Sequence, residues 1–168
     1  MHLKDIDKAR YRKHLNIVII ASIAMLVVGS LSLSQLLIML FPDGDGSHFH
    51  WNLTGVVATT ILIGWLLNKF RNHPFMTEVT YIWELKQVLN QVTRKLQKLK
   101  NAAQQGDVRA MNALQFSYSG SRLLWQLDDN IIVMDELALE QAKLDELAQK
   151  YAVTLDVNAF NADDLTLF

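Results

Sequence analysis

Charged and uncharged positions divide this chain into two regimes. Between residues 15 and 41 run 27 consecutive positions without Asp, Glu, Lys, Arg or His. A helix of that length rises about 40 Å, more than the ~30 Å hydrocarbon core of a bilayer, so it spans with tilt or projects from one face. Residues 51–68 also lack formal charge and, counted on to Phe70, are long enough to cross once. An open backbone in lipid leaves polar groups unsatisfied, and two spans are too few for a barrel of strands, so both are expected to be helices. The only two prolines, Pro42 and Pro74, fall outside the spans, where a helix stops or restarts. The pattern predicts a transmembrane hairpin over 15–70, with spans 15–41 and 51–70 and an outer polar loop 42–50.

Beyond Pro74 the pattern becomes amphipathic. Ile82, Leu85, Leu89, Val92, Leu96 and Leu99 recur at alternating spacings of three and four, the seven-residue repeat of a coiled-coil seam. The repeat predicts one long helix over 75–105, stopped by Gly106 and followed by a cap at Asp107. Two more helices are expected over 107–127 and 129–151, with Val133 among the apolar positions of the second. That last helix carries Asp135, Glu136, Glu140, Asp145 and Glu146, opposite in sign to the lysines of the first. The expected fold class is all-α: a two-helix transmembrane hairpin followed by a cytoplasmic three-helix antiparallel bundle over 75–151, with a long coiled-coil-like first helix. The tail, 152–168, carries Leu155, Val157, Phe160, Leu165, Leu167 and Phe168, enough to pack across the bundle or to dock a partner through its end, Leu165 to Phe168.

Charge gives the hairpin a direction. Lys4, Lys8, Arg10, Arg12 and Lys13 lie in the arm 1–14, Lys69 and Arg71 follow the second span, and the loop 42–50 has no Lys or Arg. This bias places both ends of the chain in the cytoplasm and the loop outside, and it draws the arm toward an anionic leaflet. The net charge of −1 conceals this segregation. Ser32 and Ser34 before Gln35 mimic a leader-cleavage site, but apolar residues run on to Phe41, where a mature chain turns polar. The chain has no cysteine, which excludes disulfides, thiolate nucleophiles and cysteine-bound metal centres.

Candidate chemistry is sparse. Asp43, Asp45, His48 and His50 fall within eight residues, and a His-x-His pair beside carboxylates is a zinc-type donor set. As metal candidates they compete with a plainer reading, a polar turn in which Gly44 and Gly46 supply left-handed backbone. Small residues four apart, such as Ser30 with Ser34, Gly55 with Thr59 and Thr60 with Gly64, let two helices approach closely. Ser30, Ser34 and Gln35 are also what a conducting path would use, although no ionisable residue stands at membrane depth. No histidine follows His73, which weighs against acid–base catalysis in the helical region.

The stretches IDKARYRKHLN, GSHFHWNLTGV and HPFMTEVTYIWELKQ resemble those of a family of small bacterial inner-membrane proteins known as a domain of unknown function. The resemblance implies a bacterial plasma-membrane location and carries no activity, cofactor or catalytic residue. The expected function is a non-enzymatic membrane-anchored scaffold or accessory protein, without cofactor. Its helical domain would bind a second copy, or another membrane or cytoplasmic protein, through the seam Ile82 to Leu99. A small oligomeric channel or transporter subunit is the alternative, and an outward-facing metal or signal sensor a second. No nucleic-acid partner is expected.

Overall fold

The computed structural model describes residues 2–42, 47–129 and 134–168, and all regular structure among them is helical. They fall into two compact units, one of residues Ala9–Thr80 and one that joins residues 2–8 to Tyr81–Phe168.

The first unit holds two helices long and apolar enough to cross a membrane, α1 (Lys8–Leu40) and α2 (Phe49–Lys69). Helix α1 begins seven residues before the uncharged run, so the basic arm from Lys8 onward is wound into the same rod. Nothing between Lys8 and Leu15 breaks a helix, and straight-chain Lys and Arg favour one. The distribution of side chains is inverted relative to a water-soluble pair. Ile20, Val28, Leu31 and Ile61 are 66, 64, 61 and 68% exposed, while Ser30, Ser34, Gly55 and Thr59 are buried. Small residues at the contact let the two backbones approach, and the large apolar side chains point away. Ser30 donates to the Val27 carbonyl (3.2 Å), so its hydroxyl is satisfied within its own helix. After α2 a 3-10 turn, Pro74–Met76, leads into α3 (Thr77–Arg94), with the His73 ring accepting from the Phe75 N–H (3.2 Å).

In the second unit α3 continues, followed by α4 (Leu96–Gln104), α5 (Val108–Leu127) and α6 (Met134–Lys150). Helix α5 is the central element, packed on α4, on α6 and on the 3-10 turn Val157–Ala159. It also meets α3 where Gly120 lies under the side chains of Leu85 and Leu89. Gly106, at φ +90°, ends α4, and Asp107 caps α5 by accepting from the N–H groups of Arg109 (2.8 Å) and Ala110 (3.2 Å).

The single helix expected over 75–105 is two. Lys95 separates α3 from α4, its N–H donating three residues back to the Val92 carbonyl (3.0 Å). A tightened turn of this kind advances by about 120° per residue instead of about 100°, which turns Leu96 partly off the seam. Leu96 is accordingly only half-buried, whereas Leu85, Val92 and Leu99 are fully enclosed. The break coincides with two clamps on the tail: Lys95 bonds the Leu165 carbonyl, and Lys98 the Phe168 carbonyl (2.5 Å). The long first helix is thus interrupted at Lys95, the residue that also holds the tail.

The tail is packed. Phe160 stacks on Phe116 of α5 with ring centroids 4.3 Å apart, Leu165 is buried, and Asn112 accepts from the Asp156 N–H (3.1 Å). The arm packs as well: the Tyr81 hydroxyl accepts from the Lys4 N–H (2.8 Å) and donates to the His2 carbonyl (3.1 Å), and Lys8 pairs with Asp129.

Candidate functional site

Of the residues singled out in the sequence, the seam has a clear place. Ile82, Leu85, Leu89, Val92 and Leu99 are buried in the second unit, where they form its core together with Met111, Leu114 and Phe116. Their apolar surface is committed within the chain, and Leu96 alone keeps partial exposure.

At the loop end of the hairpin, Trp51 stacks on Phe41 (5.3 Å) and His50 packs against Trp51 (4.7 Å). Asp43 and Asp45 lie outside the described residues. Among the described residues no three His, Asp or Glu side chains converge on one point, so His48 and His50 are not joined there by a third donor.

The opposite end of the hairpin gathers more chemistry than the sequence suggested. The Glu78 carboxylate, in the first turn of α3, takes the Arg10 Nε at 2.9 Å on one oxygen and faces the His14 Nδ1 at 3.5 Å on the other. Arg10 and His14 are four residues apart on α1 and so share a face. The His14 ring lies 4.1 Å from that of Phe75, which fixes it from the other side. Glu78 Oε2 and His14 Nδ1 are closed off from solvent and neither has a hydrogen bond, an arrangement that costs roughly 1–3 kcal/mol per group. Lys13, Lys69 and Arg71 belong to the same end, and Lys69 sits 4.8 Å over the Trp65 ring. Directly beyond His14 along the face, Val18 and Ala21 of α1, Leu66 and Phe70 of α2, and Phe75 enclose an apolar groove of about 240 Å³.

The second unit has one strongly perturbed ionisable cluster. Glu140 of α6 pairs with Lys100 of α4 and with Lys143 (2.8 Å), and Tyr118 of α5 reaches it at 3.4 Å. Hydrogen bonds from Lys100 and then Lys143 draw the Glu140 carboxyl down to about 2, against a smaller opposing effect of burial. Burial, then the adjacent Glu140 charge, pushes the Tyr118 phenol up to about 12. Each group is held in one protonation state across the neutral range, so the cluster is an electrostatic tie between three helices rather than a proton donor or acceptor. Glu140 belongs to the acidic set of the last helix, and its pairing with Lys100 draws on the opposition of sign between the two helices.

Residues 1–165 match the family described as a protein of unknown function (DUF3087). No curated protein and no solved structure matches the chain.

Proposed function

The chain belongs to the DUF3087 family, and we propose that it is a membrane-anchored accessory protein whose hairpin crosses a bacterial inner membrane twice and holds a helical unit on the cytoplasmic side. The observation that carries this reading is the inverted hairpin, with small and hydroxylated residues inside and Ile, Leu and Val outside. In water so much exposed apolar surface is a liability, whereas in lipid it is the ordinary solution. The placement of Lys8, Arg10, Arg12, Lys13, Lys69 and Arg71 at one end of the hairpin supports cytoplasmic termini. Because Ile82, Leu85, Leu89, Val92 and Leu99 are enclosed, they serve to build the unit. A partner or second copy would be engaged by apolar side chains left outside, of which Leu139 (58% exposed) and Leu167 (59%) stand out.

Absence of cysteine makes the topology directly testable. Ser47→Cys and Ala162→Cys variants are labelled in intact cells with a membrane-impermeant maleimide. Position 47 should label and position 162 should label only after lysis, with both proteins resisting alkaline carbonate extraction. Labelling of position 162 in intact cells, or release by carbonate, would overturn the reading. Partner engagement is tested by crosslinking in native membranes, where Leu139→Lys should abolish the adduct if that face is used.

A further inference from the structure

Two features of the hairpin unit that the anchoring role does not use meet at one place. One is the Arg10, His14 and Glu78 clamp; the other is the apolar groove that begins at Phe75 and runs along α1 toward Met25. On α1 they form a single stripe at helical spacing, charged and polar at residues 10 and 14, apolar from Val18 to Met25.

The geometry points to a binding site for one phospholipid with an anionic headgroup, its phosphate on Arg10 and His14 and one acyl chain in the groove. This rests on the membrane reading above.

The polar end suits a phosphate. Glu78 takes Arg10 with one carboxylate oxygen and orients His14 with the other, so two nitrogen donors one helical turn apart are aimed from a single anchor. With His14 doubly protonated, its Nδ1 faces the Glu78 carboxylate at 3.5 Å and Nε2–H is left to donate to a phosphate oxygen. Arg10 keeps 56% of its side chain exposed. Counted over residues 9–14 and 69–80, this end carries five basic residues (Arg10, Arg12, Lys13, Lys69, Arg71) against one acidic residue, Glu78. That balance favours an anion and disfavours a headgroup that ends in an ammonium.

The apolar end suits a chain. From Val18 to Met25 the groove follows α1 for about 10 Å, most of one leaflet's ~15 Å share of the hydrocarbon core. It is continuous with the outward apolar faces of α1 and α2, so an acyl chain enters it sideways from the bilayer. A soluble anion would have no use for the apolar groove.

The test uses the full chain in neutral detergent, with native mass spectrometry after addition of phosphatidylglycerol or phosphatidylcholine carrying identical acyl chains. Phosphatidylglycerol should be retained about tenfold more strongly, a preference that Arg10→Gln and His14→Gln each reduce by about fivefold or more and Arg10→Lys largely preserves. Ala21→Phe, which fills the groove, should remove retention of both lipids. Far-UV helicity and melting of each variant separate loss of the site from loss of the fold. Equal retention of the two lipids, an undiminished preference in Arg10→Gln and His14→Gln, or full displacement by inorganic phosphate would each overturn the proposal. Failure of the membrane reading shows separately, as release by carbonate.

Discussion

A Cβ built on Gly55 of α2 would lie 2.8 Å from the Ser30 carbonyl oxygen of α1, closer than any side chain tolerates. The hairpin therefore depends on the missing side chain at this one position, and on the absence of bulk at Gly29, where a Cβ would meet the Thr59 methyl at 2.9 Å. Gly55→Val should separate the helices and cost about 1–3 kcal/mol, read as a lower midpoint in detergent-denaturant titration. Gly64, with nothing within 4 Å, is the control: Gly64→Ala should leave the hairpin intact and add up to about 1 kcal/mol through helix propensity.

Glu140 predicts an acid limb. Its carboxyl titrates at about 2 in the folded chain against an ordinary value of 4.5, so the folded state holds fewer protons between those values. The stabilisation is complete above pH 4.5 and is lost as pH falls toward 2. Melting of the full chain followed from pH 6 to about pH 2 should show this loss, and Glu140→Gln should flatten it while lowering stability at neutral pH. An unchanged acid limb in Glu140→Gln would show that the tie to Lys100 and Lys143 carries no weight.

The stack of Phe160 on Phe116 predicts that the tail is structural. Phe160→Ala should cost about 3–5 kcal/mol if the site cannot collapse, and hydrogen exchange over residues 154–168 should lose protection. Normal protection in the variant would mean that Lys95 and Lys98 hold the segment unaided.

Ala152 ends α6 at φ 52°, the left-handed conformation that a Cβ makes unfavourable by roughly 1–2 kcal/mol. Its neighbour Val153 donates back to the Ala148 carbonyl (2.9 Å), so the conformation is fixed by a helix-ending hydrogen bond. Ala152→Gly should raise stability by about 0.5–1 kcal/mol, after the greater entropy of the unfolded glycine is deducted, and the melting temperature reports it.

Legibility differed sharply along the chain. Long uncharged runs are legible because lipid and helix geometry leave few alternatives, and α1 and α2 fall where the runs do, extended only by the arm that α1 absorbs. The break at Lys95 has no cue in the sequence, because the repeat through Leu96 is uninterrupted, and the bonds that Lys95 and Lys98 make there reach carbonyls some 70 positions away. Gly106 and Asp107 were readable as local signals that need no tertiary partner. The Arg10, His14 and Glu78 clamp has no local signature because Glu78 lies 64 and 68 residues from His14 and Arg10, on the other side of the hairpin. A cue existed: over residues 9–14 and 69–80 Glu78 is the one acid among five basic residues.

The bond between the His2 ring and the Asn158 side chain (2.8 Å), with the arm's attachment to Tyr81, imposes an order of assembly. The arm can meet Tyr81 as soon as the start of α3 has been made, whereas the bond to Asn158 closes a separation of 156 residues and must follow, because the entropy of so long a loop is regained only by contacts formed late. A bulky fusion ahead of His2 would therefore burden maturation more than the same fusion placed within an exposed loop.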